Sequence, residues 1–292
     1  MIFLDNLING LSLGSIYAII ALGYTMVYGI AKMLNFAHGD VIMVGAYIAF
    51  CGLQYWGIPS VFAFLLAMVV CTVLGITIEG LAYRPLRQAT SLAVLITAIG
   101  MSYLLQNIAL MIWGANPKSF PTTFINSSSL HLGKINLSSA TLITILVSVA
   151  IMVLLTLFTS KTKLGKAMRC VSEDRGAAEL MGINVNRTIS LTFAIGSALA
   201  AIAGILLCSS YPILQPTTGS MPGIKAFTAA VFGGIGSIPG AMLGGVLLGI
   251  IEIFGKAYIS TELGDAIVFA VLIIVLLFKP AGLLGKPMRE KV

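Results

Sequence analysis

A glycine-rich run near the C-terminal end of the chain has the composition of a phosphate-binding loop. It reads Gly-Gly-Ile-Gly-Ser-Ile-Pro-Gly from Gly233 to Gly240. A Walker-type loop requires a lysine after its last glycine, and a dinucleotide-binding fingerprint requires a third glycine where Pro239 stands. The run therefore does not predict a nucleotide site. Glycine and proline together free backbone groups from a helix, so Gly234, Gly236 and Pro239 predict a break in an apolar helix.

Three polar residues, Asn35, His38 and Asp40, lie close together between two apolar runs. Polar groups at membrane depth are costly and often functional, so these side chains are candidates for lining or gating a path. Gly39 permits a break in the chain at the same place. A second interpretation is a solvated turn after Lys32, in which the same side chains only cap the next helix. The sequence leaves both interpretations open.

The unusually apolar composition of the chain indicates which kind of structural element positions these residues. Of 292 residues, 58% are hydrophobic and only 9% are charged, with a mean hydropathy of +1.03. A soluble domain is about 25% charged, so lipid is the solvent that this chain suits. The net charge of +7 comes from basic residues in short loops, which disfavours nucleic acid as a partner. Four scattered cysteines predict neither a metal site nor a disulfide, and no cofactor is expected.

Eight apolar runs are long enough to cross, or nearly cross, a hydrocarbon core of roughly 30 Å. Backbone groups in lipid must be hydrogen-bonded internally, so each run is expected to be helical. The sequence predicts an all-α polytopic membrane protein with about eight transmembrane segments, one or two of them broken or re-entrant. The runs span residues 7–31, 38–55, 60–80, 91–113, 138–160, 189–211, 224–254 and 264–279.

Basic residues predict the orientation of these segments, because cytoplasmic loops are enriched in lysine and arginine. The loop at about 161–187 carries six of them and is expected in the cytoplasm; the loop at about 114–137 then lies in the periplasm. Counting outward places the N-terminus in the periplasm. The basic C-terminal tail reaches the cytoplasm only if segment 224–254 enters and leaves on one side, which the glycine break permits. Beyond the break, Gly240, Gly244, Gly245 and Gly249 form small-residue faces for close helix packing.

Within the loop 161–187, a short amphipathic helix is expected from Arg169 to Gly182. Its alanine and glycine spacing resembles the coupling loop that ABC importer permeases dock onto their ATPases. Small alanines permit close approach, the glycine turns the chain, and acidic residues fix the register at a polar rim. Two departures are Gly176 at the first motif position and the absence of a later Ile-x-Leu-Pro. The candidate coupling residues are Glu173, Asp174, Ala177, Ala178 and Gly182.

Further motifs cover nearly the whole chain and together resemble the LivH-type permeases of bacterial branched-chain amino acid ABC importers. They are Gly10-Leu-Ser-Leu-Gly-Ser-Ile-Tyr-Ala-Ile19, Gly23-Tyr-Thr-Met-Val-Tyr-Gly29, Asn35-Phe-Ala-His-Gly39, Ala82-Tyr-Arg-Pro-Leu-Arg87, Met181-Gly-Ile-Asn184 and the region 223–241. The resemblance implies one permease domain over residues 1–292, without catalytic activity, in the bacterial inner membrane. It also implies two cytosolic ABC ATPase subunits, a second, paralogous permease subunit and a periplasmic amino-acid-binding protein as partners.

Two other functions are compatible with parts of the sequence. Related permeases import urea or short amides, and the apolar spans do not reveal which substrate is carried. An ion-coupled secondary transporter would need carboxylates at mid-membrane. Glu79, Glu252 and Asp265 lie near segment ends, which disfavours that class. A membrane-embedded enzyme is disfavoured as well, because no catalytic motif is present.

Overall fold

The computed structural model describes residues 2–121, 129–132 and 135–285. Within these ranges the chain forms eleven α-helices and two small two-stranded sheets. The helices are α1 (Ile2–Ala31), α2 (His38–Gln54), α3 (Ser60–Ile78), α4 (Ser91–Trp113), α5 (Ser139–Lys161), α6 (Lys163–Glu173), α7 (Arg175–Leu180), α8 (Val185–Ser210), α9 (Ser220–Gly233), α10 (Ile238–Tyr258) and α11 (Gly264–Phe278). A π-helical turn (Glu79–Tyr83) and a 3-10 turn (Arg84–Leu86) continue α3.

The strands are confined to connections between helices. Strand β1 (Lys118–Ser119) pairs antiparallel with β4 (Ile213–Leu214), and β2 (Ser129–Leu132) pairs antiparallel with β3 (Ile135–Ser138). They lie in or beside the segment 114–137, for which the sequence predicts a polar loop. Of the basic tail, Lys286, Arg289 and Lys291 lie outside the described residues.

The prediction of a polytopic helical membrane protein is confirmed. Six of the eight apolar runs contain a helix long and apolar enough to cross a membrane. The other two runs form α2 and α11, of 17 and 15 residues. At 1.5 Å per residue these helices are about 25 Å long or less, short of a full hydrocarbon core. Helices α1 and α8 are buried along most of their length, whereas α4 and α5 expose wide apolar faces.

The run 224–254 is broken where its glycines predict. Helix α9 ends at Gly233, and Gly234 and Gly236 adopt φ values of +104° and +94°, which favour glycine. The Ser237 hydroxyl accepts a hydrogen bond from the Gly240 N–H at 3.2 Å and caps α10. The chain then reverses, so that α9 and α10 pack antiparallel as a hairpin.

Helices α1 and α10 also pack antiparallel, through glycines on both sides. A methyl group on Gly249 would lie 2.2 Å from the Cα atom of Gly14, and one on Gly245 would lie 2.5 Å from the Cα atom of Ala18. No side chain fits between these backbones. The small-residue spacing beyond Pro239 therefore serves close helix packing, as the sequence predicts.

A second break separates α1 from α2. Lys32 has a φ of +55°, and the chain turns back so that the His38 ring lies against Gly23 of α1. Gly39, in the first turn of α2, contacts the backbone of Gly219 and Gly223 at the start of α9. Helices α2 and α9 therefore begin side by side within the bundle, and both are too short to cross a bilayer.

Candidate functional site

The segment expected to form one coupling helix is two helices, which corrects the prediction. Helix α6 ends at Glu173, and Asp174 is extended, with φ −154° and ψ 116°. The Asp174 carboxylate accepts a hydrogen bond from the Ala177 N–H at 3.1 Å and so caps α7. Aspartate is unfavourable inside a helix and favourable at its N-cap, which explains why the helix divides at this residue.

The exposed face of α7 differs from the alanine surface that the motif predicts. Ala178 is buried against the body of the chain, whereas Glu173 and Ala177 are exposed. Two large apolar side chains are also exposed there, Leu180 at 91% and Met181 at 80%. Sequence reasoning missed both residues, because apolar side chains are unremarkable in a chain that is 58% hydrophobic. Their position next to a polar helix was the available signal.

Gly182 ends this element as the sequence predicts. Its φ is +78°, a left-handed conformation that glycine adopts without steric cost. The chain then enters α8 after Asn184, whose side chain accepts a hydrogen bond from the Arg187 N–H at 2.9 Å. Helix α7 is thus a short, separately capped element with an apolar tip.

One side chain connects α7 to the long central helix. The Arg175 guanidinium donates a hydrogen bond to the carbonyl of Ala31, the last residue of α1. Burial and the nearby Arg87 guanidinium lower the pKa of Arg175. Arg87 itself pairs with the buried Glu79 carboxylate, which also accepts a hydrogen bond from the Ser190 hydroxyl at 2.6 Å. We call this region of the bundle the α6–α7 end.

The polar residues of the break before α2 are inside the protein. Asn35, His38 and Asp40 have exposed fractions of 4%, 1% and 1%, so the interpretation as a solvated turn is wrong. The Tyr83 hydroxyl donates a hydrogen bond to the Asn35 side-chain oxygen at 3.0 Å. The Gln106 amide donates to the Asp40 carboxylate at 2.9 Å, which ties α4 to the start of α2.

The two predicted broken segments are not brought together. The turn with Gly234, Gly236 and Pro239 lies at the α6–α7 end, where Gly236 approaches Gly29 of α1. There the N–H groups of the C-terminal residues 283 and 284 donate hydrogen bonds to the end of α9. The start of α9, fourteen residues earlier, contacts the break around Gly39 instead. In the sequence, the start of α9 is marked by a polar stretch with glycine and proline, residues 215–223, between two apolar runs.

A buried charged cluster joins α1, α9, α10 and α11, and sequence reasoning did not anticipate it. The Glu252 carboxylate is 1% exposed and accepts hydrogen bonds from Tyr17 at 2.8 Å, Lys225 at 2.7 Å and Lys256 at 2.5 Å. Lys225 also contacts the Asp265 carboxylate at 2.5 Å. Two lysines face two carboxylates, so the cluster is formally neutral.

Comparison with known proteins places the whole chain in one family. Residues 6–276 match the family model described as the branched-chain amino acid transport system / permease component. The chain is 48% identical to the high-affinity branched-chain amino acid transport system permease protein BraD of Pseudomonas aeruginosa, with 99% of this chain and 98% of that protein covered. It is 46% identical to the corresponding protein LivH of Escherichia coli K12, with the same coverage.

The fold has a counterpart among solved structures. The structure of PsaBC from Streptococcus pneumoniae in complex with Fab matches with a TM-score of 0.51 and 18% sequence identity. The match covers 94% of this chain and 91% of that chain, which supports the fold alone. The family match and the two full-length relatives go further, and the chain belongs to the family of permease components of branched-chain amino acid transport systems.

Proposed function

We propose that the chain is the transmembrane permease subunit of an ABC importer that carries leucine, isoleucine or valine across the bacterial inner membrane. The observation that carries this proposal is the identity of 46–48%, over 99% of the chain, to high-affinity branched-chain amino acid permeases. One permease domain spans residues 1–292. ATP hydrolysis takes place on partner subunits, so this chain has no catalytic site of its own.

The proposed assembly contains two cytosolic ABC ATPases, a second, paralogous permease and a periplasmic amino-acid-binding protein. The α6–α7 end, with Lys161, Lys163 and Arg175, faces the cytoplasm, because basic residues concentrate on that side. The N-terminus of α1 then lies in the periplasm and the C-terminal tail in the cytoplasm. The hairpin of α9 and α10 supports this orientation. It lets the run 224–254 enter and leave the membrane on one side, as a periplasmic N-terminus and a cytoplasmic tail require.

The proposed mechanism uses α7 as the element that the ATPases move. Its apolar tip docks on the ATPase, Glu173 and Asp174 lie at the rim, and Gly182 allows the helix to pivot. Arg175 passes the movement to the end of α1. The adjoining break, with Asn35, His38 and Asp40, lines or gates the path, and the turn with Gly234, Gly236 and Pro239 lies at its cytoplasmic end. Broken helices serve this role in other transporters.

Charge on the apolar tip of α7 is expected to prevent ATPase binding. In the double variant Leu180→Glu with Met181→Glu, two carboxylates would be desolvated at the interface, so ATPase recovered with the tagged permease should fall at least about tenfold. The measurement is quantitative co-purification in mild detergent. Ile259→Glu, at an exposed apolar residue of the opposite end, is the matched control and should retain ATPase. Equal ATPase recovery from both variants would contradict docking at this tip.

Loss of the hydrogen bond from the Arg175 side chain to α1 is expected to uncouple the transporter without dissociating it. In Arg175→Met, the Ala31 carbonyl loses its donor from α7, so movement of α7 no longer reaches α1. Uptake per ATP hydrolysed should fall at least about tenfold if the lost contact is worth 1.5–3 kcal/mol. Proteoliposomes that report leucine uptake and phosphate release together provide the measurement. Arg187→Met, at an exposed arginine of α8, should leave the ratio unchanged.

The experiment that tests the proposed function is uptake by the complete complex in proteoliposomes, with the purified binding protein outside and ATP inside. Leucine uptake that requires both ATP and the binding protein is expected. Uptake of urea or short amides instead of leucine would replace the proposed substrate class. Uptake that is lost with a protonophore while ATP is maintained would identify an ion-coupled transporter.

A further inference from the structure

A polar cavity of about 510 Å³ lies at the end of the bundle opposite α6 and α7. It is open to the surface and is lined by the first turns of α1, the start of α5, the end of α8 and the end of α10. Its volume falls within the range of small-molecule binding sites, about 300–1,000 Å³. In the proposed orientation the cavity opens toward the periplasm, where a binding protein releases its cargo.

The lining is rich in neutral groups that both donate and accept hydrogen bonds. Asn6, Asn9 and Ser12 are spaced three residues apart along α1, so each lies beside the next on the helix surface, and all three line the cavity. Hydroxyl groups of α5 and α8 complete this polar wall, on Thr141, Ser209 and Ser210. Amides and hydroxyls are suited to an occupant that carries both positive and negative groups.

Two buried atoms in this wall have no hydrogen-bond partner in the part of the chain that the structure describes. They are the Asn6 side-chain nitrogen and the Ser210 hydroxyl oxygen. A buried polar atom that is left unsatisfied costs about 1–3 kcal/mol. Both atoms belong to residues of the cavity wall, and a flip of the Asn6 amide or a rotation of the Ser210 hydroxyl would turn them toward a polar occupant.

One charged side chain, Lys256, lines the cavity among its described residues. The Lys256 ammonium group donates a hydrogen bond to the Glu252 carboxylate at 2.5 Å, and this contact uses one of the three ammonium protons. The Glu252 carboxylate is itself 1% exposed and lies behind the wall. The Lys256 side chain is still 33% exposed, so its remaining N–H donors can reach the carboxylate of an occupant. Ile253 and Ala257 provide an apolar surface beside it.

We propose that this cavity binds an α-amino acid as its zwitterion. The α-carboxylate contacts Lys256, the α-ammonium group donates to amide and hydroxyl oxygens of α1 and α5, and the side chain packs on Ile253 and Ala257. The inference rests on the proposed function and deepens it, because it gives the permease a substrate site separate from that of the binding protein. The Glu252 carboxylate behind Lys256 holds its ammonium group in place.

The test is direct binding of tritiated leucine to the purified permease complex in lipid nanodiscs, without the binding protein. Leucinol, which keeps the ammonium group and lacks the carboxylate, serves as the competitor. Wild type should bind leucine saturably and leucinol at least about tenfold more weakly, since a hydrogen bond to a charged group contributes 1.5–3 kcal/mol. In Lys256→Met, leucine affinity should fall by the same factor and the preference over leucinol should disappear. Lys118→Met, at a half-buried lysine outside the cavity, should bind as wild type.

A second variant separates binding from stability, because Lys256 also contacts Glu252. Ala257→Trp fills the cavity and leaves each charged and hydrogen-bonding side chain in place. It should abolish leucine binding while the thermal denaturation midpoint stays close to that of wild type. Absence of saturable leucine binding to wild type at millimolar leucine would overturn the inference. So would wild-type affinity in both Lys256→Met and Ala257→Trp.

Uptake measurements on the same preparations distinguish this inference from the proposed function. If ATP-dependent leucine uptake occurs but the cavity variants bind leucine as wild type does, only the cavity assignment fails. If leucine binding depends on Lys256 but the complex does not take up leucine, the proposed function fails and the cavity assignment stands.

Discussion

The variant Gly249→Val is expected to abolish folding of the chain into its helical bundle. A β-carbon at this position would lie 2.2 Å from both the Cα and N atoms of Gly14. Because these are backbone atoms, no side-chain rotation relieves the clash, and α1 and α10 must separate. Overpacking costs about 1–3 kcal/mol where side chains adjust, so the cost here should exceed about 3 kcal/mol. Helix α1 lies at the centre of the bundle, and its displacement affects every neighbour.

The measurement for Gly249→Val is the yield of monodisperse protein after detergent extraction, together with its thermal denaturation midpoint. Gly100→Val is the matched control, since Gly100 is also in a helix interior and a β-carbon there meets nothing within 4 Å. Both substitutions change the unfolded chain and the helix propensity in the same way. Equal stability of the two variants would show that the α1–α10 contact does not determine the fold.

Removal of the Glu252 charge is expected to cause the second large loss of stability. Among the residues that the structure describes, Glu252→Gln leaves Lys225, whose side chain is 7% exposed, with the Asp265 carboxylate as its remaining ion-pair partner. Breaking a buried ion pair by removing one partner costs about 3–5 kcal/mol, because the remaining charge stays desolvated. The thermal denaturation midpoint of the purified protein should fall accordingly.

Two further variants test the cause of this loss. Asp265→Asn removes a carboxylate that is 45% exposed, so its effect should stay below about 1 kcal/mol. Replacing both buried partners by apolar side chains, Glu252→Leu with Lys225→Met, should recover part of the stability that Glu252→Gln loses. If the double variant is less stable than Glu252→Gln, an unpaired Lys225 is not the reason for the loss.

The sequence was sufficient for features that depend on composition and on local backbone preferences. With 9% charged residues, the chain cannot cover its surface with polar groups, and this established the helical membrane class. Gly234 and Gly236 adopt positive φ values at the predicted break, as Gly182 does after α7. The predictions at these glycines rested on the backbone conformation that glycine adopts within its own turn.

The polar break before α2 was only partly predictable. The sequence identified Asn35, His38 and Asp40 but left a solvated turn open, because local sequence does not specify depth. Burial was decided by the chain turning back onto α1, where the His38 ring contacts Gly23. The contact of Gly39 with the start of α9, rather than with the turn after Gly233, was not anticipated from the sequence.

Only the tertiary structure decided which faces of the helices meet. Tyr17 and Glu252 are 235 residues apart in the chain, and hydrogen bonding between them requires α1 and α10 to pack side by side. In a soluble protein the apolar face of a helix indicates its buried side, whereas here lipid-facing and protein-facing surfaces are equally apolar. The sequence by itself therefore determined the membrane class, the breaks in the apolar helices and the glycine turn after α7. The charged cluster, the exposed tip of α7 and the polar cavity were decided by packing between distant helices, which hydropathy does not encode.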